Sequence, residues 1–215
     1  MCIRDRYNAC VDGFPKAVEA ALQVDWVELN RADEDGVTPL YIACQKGHLE
    51  VVRMLLSTDG ILVNEARKDG STPLFIACQL GYLEVVRMLL SADGIVVNEA
   101  RKDGMTPLYI ACQLGYLEVV RMLLSVEGID PNLALGNGCT PLIIASYLGR
   151  ADVVEILLGD CGPRCDASLE CSGKSALEWA ESAVRHPPWS ILDEQISEDG
   201  RARVRGLCSK GNQGV

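Results

Sequence analysis

The segment Leu49–Leu56, LEVVRMLL, is polar only at Glu50 and Arg53, with Ser57 continuing the same stripe. Every other direction around a helix of this sequence is apolar, so it must be covered on both sides. The same eight residues recur at Leu83–Leu90 and Leu117–Leu124. Upstream of the first copy, Thr38 offers a hydroxyl N-cap and Pro39 fits a first helical position, where its missing N–H costs nothing. Leu40, Ala43 and Cys44 then share one face, and Gly47 stops the helix. The pattern predicts two short helices per unit. A segment such as DGILVNEARKDGS (Asp59–Ser71) follows, in which Gly60, Asn64 and Gly70 suit a chain reversal and a projecting β-turn loop.

The marker G-x-T-P-L falls at Gly36, Gly70, Gly104 and Gly138, 34 residues apart each time, with a weakened GKSAL at Gly173. Residues 33–66 and 67–100 agree at 26 of 34 positions, and 67–100 and 101–134 at 27. Ala9–Leu22 aligns in frame with Ala43–Leu56, so the array opens on a repeat that lacks its first part. Repetition at this period is the signature of a solenoid in which near-copies bury one another's apolar sides.

G-x-T-P-L-x-x-A-x-x-x-G-[HY]-L-E-V-V-x-x-L-L followed by VN resembles the ankyrin repeat over about residues 7–185, with three strong copies and a good fourth. The resemblance implies an all-α ankyrin-repeat solenoid of five to six helix-turn-helix units joined by β-turn loops. Its divisions are a partial repeat at 7–32, repeats at 33–66, 67–100, 101–134 and 135–168, a degenerate capping repeat at 169–198 and a flexible tail at 199–215. Residues 1–6, MCIRDR, read as the translation of a sequencing adapter and are expected to be a non-native leader. Two departures from the family pattern stand out. One residue is inserted before a turn glycine, as at Asp59, Asp93 and Glu127, and the histidine of T-P-L-H is replaced by Tyr41, Phe75, Tyr109 and Ile143. Aromatic packing is the expected substitute for that histidine's hydrogen bonds.

Composition sharpens the picture. The 215 residues carry a net charge of −10, which argues against a phosphate-binding surface. No apolar run approaches the roughly 18 residues of a membrane span. Four of the ten cysteines, Cys10, Cys44, Cys78 and Cys112, recur every 34 residues. On stacked helices about 8–10 Å apart they are too distant to bridge and read as small buried hydrophobes of a reducing compartment. An intracellular, cytoplasmic and monomeric protein is expected, with no cofactor and no nucleic-acid partner.

Catalytic chemistry finds little footing. His48 stands where the sister copies have Tyr82 and Tyr116, a structural position. Cys161, Cys165 and Cys171 with His186 suggest a metal or thiol site, but C-x3-C-x5-C matches no common zinc spacing. Gly136–Gly138 is turn chemistry without a following lysine. Arg201, Arg203 and Arg205 form a weak basic stretch.

Function is therefore sought where the copies differ: after the turn glycine (Val37, Ser71, Met105, Cys139) and at the end of the first helix (Lys46, Leu80, Leu114, Tyr147). The ankyrin resemblance places a concave partner-binding face there and adds the loop residues Glu34, Asp35, Lys68, Asp69, Lys102, Asp103 and Asn137. It implies non-catalytic recognition of a protein partner. The alternative is the ankyrin portion of a larger signalling, channel or ubiquitin-ligase protein.

Overall fold

The computed structural model describes residues 9–10, 12–22, 29–159, 164–181 and 198–211, and the chain divides into two compact units, Met1–Pro107 and Leu108–Val215. The expected leader, Cys161 and His186 lie outside the described residues. All the named elements are helices. The described residues add one isolated bridge, Cys171 with Lys174.

The first unit holds α1 (Pro15–Leu22), α2 (Pro39–Lys46), α3 (Leu49–Leu56), α4 (Pro73–Leu80) and α5 (Leu83–Leu90). α2 pairs with α3 and α4 with α5, while α2 stacks on α4, and α1 and α5 each pack on α3. The Thr-Pro dipeptides start the inner helices as their chemistry requires: the hydroxyls of Thr38 and Thr72 each accept from the backbone N–H three residues on, at 3.1 Å. Gly47 and Gly81 end them in the left-handed region, at φ 71° and 69°. The second helices bury Val51, Val52 and Leu55 in one copy and Val85, Val86 and Leu89 in the next. Their wet stripes carry the exposed pairs Glu50–Arg53 and Glu84–Arg87, each at 3.4 Å. The His48 ring covers Gly13, and the Tyr82 ring covers Gly47, which accounts for a flat side chain at this repeat position.

A polar ladder joins the loops. Asn30 donates its amide to the Gly60 carbonyl at 2.7 Å and accepts from the Leu62 N–H at 2.8 Å. Asn64 repeats this with Gly94 and Val96, at 2.7 and 2.9 Å.

The second unit holds α6 (Pro107–Leu114, starting at the boundary), α7 (Leu117–Leu124), α8 (Pro141–Tyr147), α9 (Ala151–Gly159), α10 (Ala176–Glu181) and α11 (Glu198–Gly211). α9 packs on α7 and α8, and α10 stacks on α8. Here Asn132 continues the loop pattern with Arg164 and Asp166, at 2.6 and 2.8 Å.

Residues 199–215 were expected as a flexible tail, but most of this stretch belongs to α11, which packs against α9 and α10 as an outer helix would. The reason is chemical. Val204 and Cys208, four residues apart, share one helix face and are buried. Arg203 meets Asp152 at 2.8 Å, and Arg205 donates to the Ala180 carbonyl at 3.4 Å. The final unit thus takes its second helix from further along the chain.

Candidate functional site

Each β-turn loop is a finger closed by its own aspartate or asparagine. Asp33 accepts through one carboxylate oxygen from the N–H groups of Asp35 and Val37, both at 2.9 Å. Asp69 accepts from Ser71 at 2.9 Å, Asp103 from Met105 at 3.2 Å, and in the second unit Asn137 accepts from Cys139 at 3.0 Å. Burial alone would push the Asp69 and Asp103 carboxyls up. These hydrogen bonds and the charges of Arg67 and Arg101 outweigh it, and both titrate below the ordinary aspartate range.

The fingers of the first unit are fastened in register. The Lys68 N–H donates to the Asp35 carbonyl and the Lys102 N–H to the Asp69 carbonyl, each at 3.0 Å. This close approach fixes the turn glycine. Gly70 sits at φ 87°, and a Cβ there would stand 2.8 Å from the Lys102 nitrogen.

At the finger bases the replaced histidine finds its successor. Tyr41 is fully buried, which pushes its hydroxyl pKa up, as does the Asp69 charge; its hydroxyl bonds to Ser71 and Arg67. In the next repeat Phe75 has no hydroxyl. Arg101 lies over its ring, 5.4 Å from the centroid, and pairs with Asp103. In the second unit the Tyr109 hydroxyl donates to the Cys139 sulfur at 3.5 Å.

These contacts divide the residues that the sequence places on a binding face. Glu34, Asp35, Lys46, Lys68, Lys102, Asp103 and Asn137 are exposed, as is Leu80 at 38%, whereas Asp69 and Leu114 are half-buried. Val37, Ser71, Met105, Cys139 and Tyr147 are buried, and their assignment to an accessible face is corrected. Ser71 and Cys139 are turned toward the tyrosine of the preceding repeat. Tyr147 packs edge-on against Trp179, with centroids 5.6 Å apart, and the Trp179 indole N–H donates to the Cys171 carbonyl at 3.0 Å. At 71 and 139, variation between copies follows internal pairing. The signal lay in the sequence, since the tyrosines at 41 and 109 face Ser71 and Cys139, while the phenylalanine at 75 is followed by Met105 at the equivalent place.

The remaining chemistry is sparse. Cys165 and Cys171 are buried, and among the described residues no three His, Cys, Asp or Glu side chains are grouped to hold a metal. Burial pushes the Cys10 thiol up to about 11 and those of Cys44 and Cys78 still further, which suppresses the reactive thiolate. Two clefts in the second unit, about 370 Å³ beside Arg150, Asp152 and Arg203 and about 470 Å³ beside Arg121 and Arg164, contain neither histidine nor cysteine. No described helix is long and apolar enough to cross a membrane.

Comparison with known proteins agrees with this architecture. The family model "Ankyrin repeats" matches in three copies, over residues 7–66, 61–134 and 94–168. Among solved structures, the ankyrin repeat protein EF0377 shares the fold with a TM-score of 0.82 at 22% identity, covering 98% of each chain. An ankyrin repeat domain from Acinetobacter baumannii AYE does so with a TM-score of 0.80 at 22% identity, covering 96% of this chain and 97% of the other. No curated protein matches the chain. The stacked Thr-Pro helix pairs, the fingers fastened in register and these matches together make the chain a member of the ankyrin-repeat family.

Proposed function

We propose that this chain is a non-catalytic recognition module that binds a protein partner through its finger tips and inner-helix ends. Ankyrin repeats are generally protein–protein interaction modules. The observation that carries the reading for this chain is Leu80. This large apolar side chain is 38% exposed at the end of α4, in a unit whose exposed finger tips are charged. An apolar anchor set among polar groups is the composition of a recognition surface. The hydrogen-bonded fingers hold their register before any partner arrives, so little ordering entropy is lost on association.

The test is site-specific photo-crosslinking in cells. A crosslinking residue at position 80 or 46 is expected to capture a recurrent protein band. The same residue at Glu84, on the wet stripe of α5, is expected to leave that band absent. Equal labelling from both faces, or none from position 80, would refute the assignment.

A further inference from the structure

The charge of the first unit is not spread evenly. On the second helices, Glu50 and Glu84 are matched by Arg53 and Arg87. At the finger bases, Arg67 and Arg101 are matched by Asp69 and Asp103. Lys46, Lys68 and Lys102 are exposed and have no ion-pair partner among the described residues. The first finger carries the opposite sign at its tip, with Glu34 and Asp35 exposed. Because the Lys68 N–H bonds to Asp35 and the Lys102 N–H to Asp69, these tips are consecutive and rigidly ordered. Along the stack the tips therefore read negative, positive, positive.

From this order we infer that the fingers of the first unit select an extended protein segment carrying the complementary sequence of charges: one basic residue followed, in space, by two acidic ones. The inference rests on the protein-recognition reading above and specifies its partner. Neighbouring repeats stand about 10 Å apart, and an extended chain advances about 3.3 Å per residue, so the complementary charges fall about three residues apart. A nucleic acid fits poorly, since its phosphates would meet Glu34 and Asp35 with the same sign they present to Lys68 and Lys102. A peptide can carry both signs. Leu80, exposed at the end of α4, supplies apolar contact, leaving the charges to set orientation and partner choice.

Panning a random peptide library of about twelve residues on the full chain tests this. The expected winners carry two acidic residues about three apart with a basic residue about three further on. They should bind Lys68→Glu/Lys102→Glu roughly tenfold or more weakly than the unaltered protein, since two surface pairs are lost and two repulsions gained. Lys68→Gln/Lys102→Gln should show an intermediate loss. Glu34→Lys should weaken the same peptides, and a peptide with each charge replaced by its opposite should bind poorly. Circular dichroism confirms that the variants fold, as expected for exposed positions.

Winners that lose binding on Leu80→Arg but show no acidic bias and tolerate both lysine changes would overturn the charge inference while leaving the recognition face intact. Failure to enrich peptides, or winners indifferent to Leu80→Arg and to every charge change, would overturn both.

Discussion

Asn64 gives the sharpest test of how these repeats hold together. Its amide nitrogen donates to Gly94 at 2.7 Å and its oxygen accepts from Val96 at 2.9 Å, so one side chain closes two hydrogen bonds between successive loops. Each such bond is worth about 0.5–1.5 kcal/mol net, and both lie at exposed sites, which places Asn64→Ala at about 1–2 kcal/mol of lost stability. For a chain of this size that is a fall of roughly 2–8 °C in Tm. Asn64→Asp should be no better at neutral pH. It keeps the acceptor but turns a carboxylate oxygen toward the Gly94 carbonyl, which raises the folded-state pKa above the unfolded value of about 3.9. The variant's deficit should therefore shrink as pH falls through that raised pKa, when a carboxylic O–H can donate again. Urea titration gives the global loss. Amide exchange at Val96 reads the contact directly, because a repeat array can open locally. A change below about 0.3 kcal/mol in Asn64→Ala, or an unchanged Val96 amide, would refute the ladder as an inter-repeat tie.

Leu89, wholly buried between hydrophobic neighbours of the first unit, should cost about 2–5 kcal/mol on truncation to alanine, whereas the exposed Leu80→Ala should cost less than about 1 kcal/mol by urea titration. Gly70→Ala and Gly60→Ala share left-handed backbone, at φ 87° and 82°, but only the first would push a Cβ to 2.8 Å from a neighbouring nitrogen. The Gly70 variant is expected to lose at least about 1 kcal/mol more, and equal losses would refute the finger contact. The Asp69 and Asp103 carboxyls titrate below their unfolded values, so their contribution is present above about pH 4 and is lost as pH falls through the folded pKa. Asp103→Asn, which copies the residue of the next finger at Asn137, should flatten that acid loss in a pH series of urea midpoints.

Much of the fold was legible because it is local chemistry written repeatedly. Thr38-Pro39 and Gly47 fix where a helix begins and ends, and the stripe of Glu50, Arg53 and Ser57 states which side of α3 is wet. The Asn64 ladder was present only as a turn signal, since its partners lie 30 and 32 residues away. α11 was hidden for a different reason. Its sequence is polar and glycine-containing, and two apolar residues at i and i+4 become meaningful only once α9 and α10 supply a surface for them.

Variation among near-identical repeats has two sources that look alike in one dimension. A position is free to vary when solvent or a partner is its only neighbour, and it is made to vary when an internal neighbour changes with it. Two positions after the turn glycine belong to the second class: Ser71 meets a tyrosine hydroxyl and Cys139 meets another. The inner-helix ends split between the classes. Lys46 and Leu80 are exposed, yet Leu148 at the same repeat position is buried, and Tyr147 just before it is closed over by Trp179. Exposure and variation coincide at the finger tips Glu34, Lys68 and Lys102 and at the inner-helix ends Lys46 and Leu80. Changing these side chains costs the fold least, which is why the proposed choice of partner in the first unit rests on them.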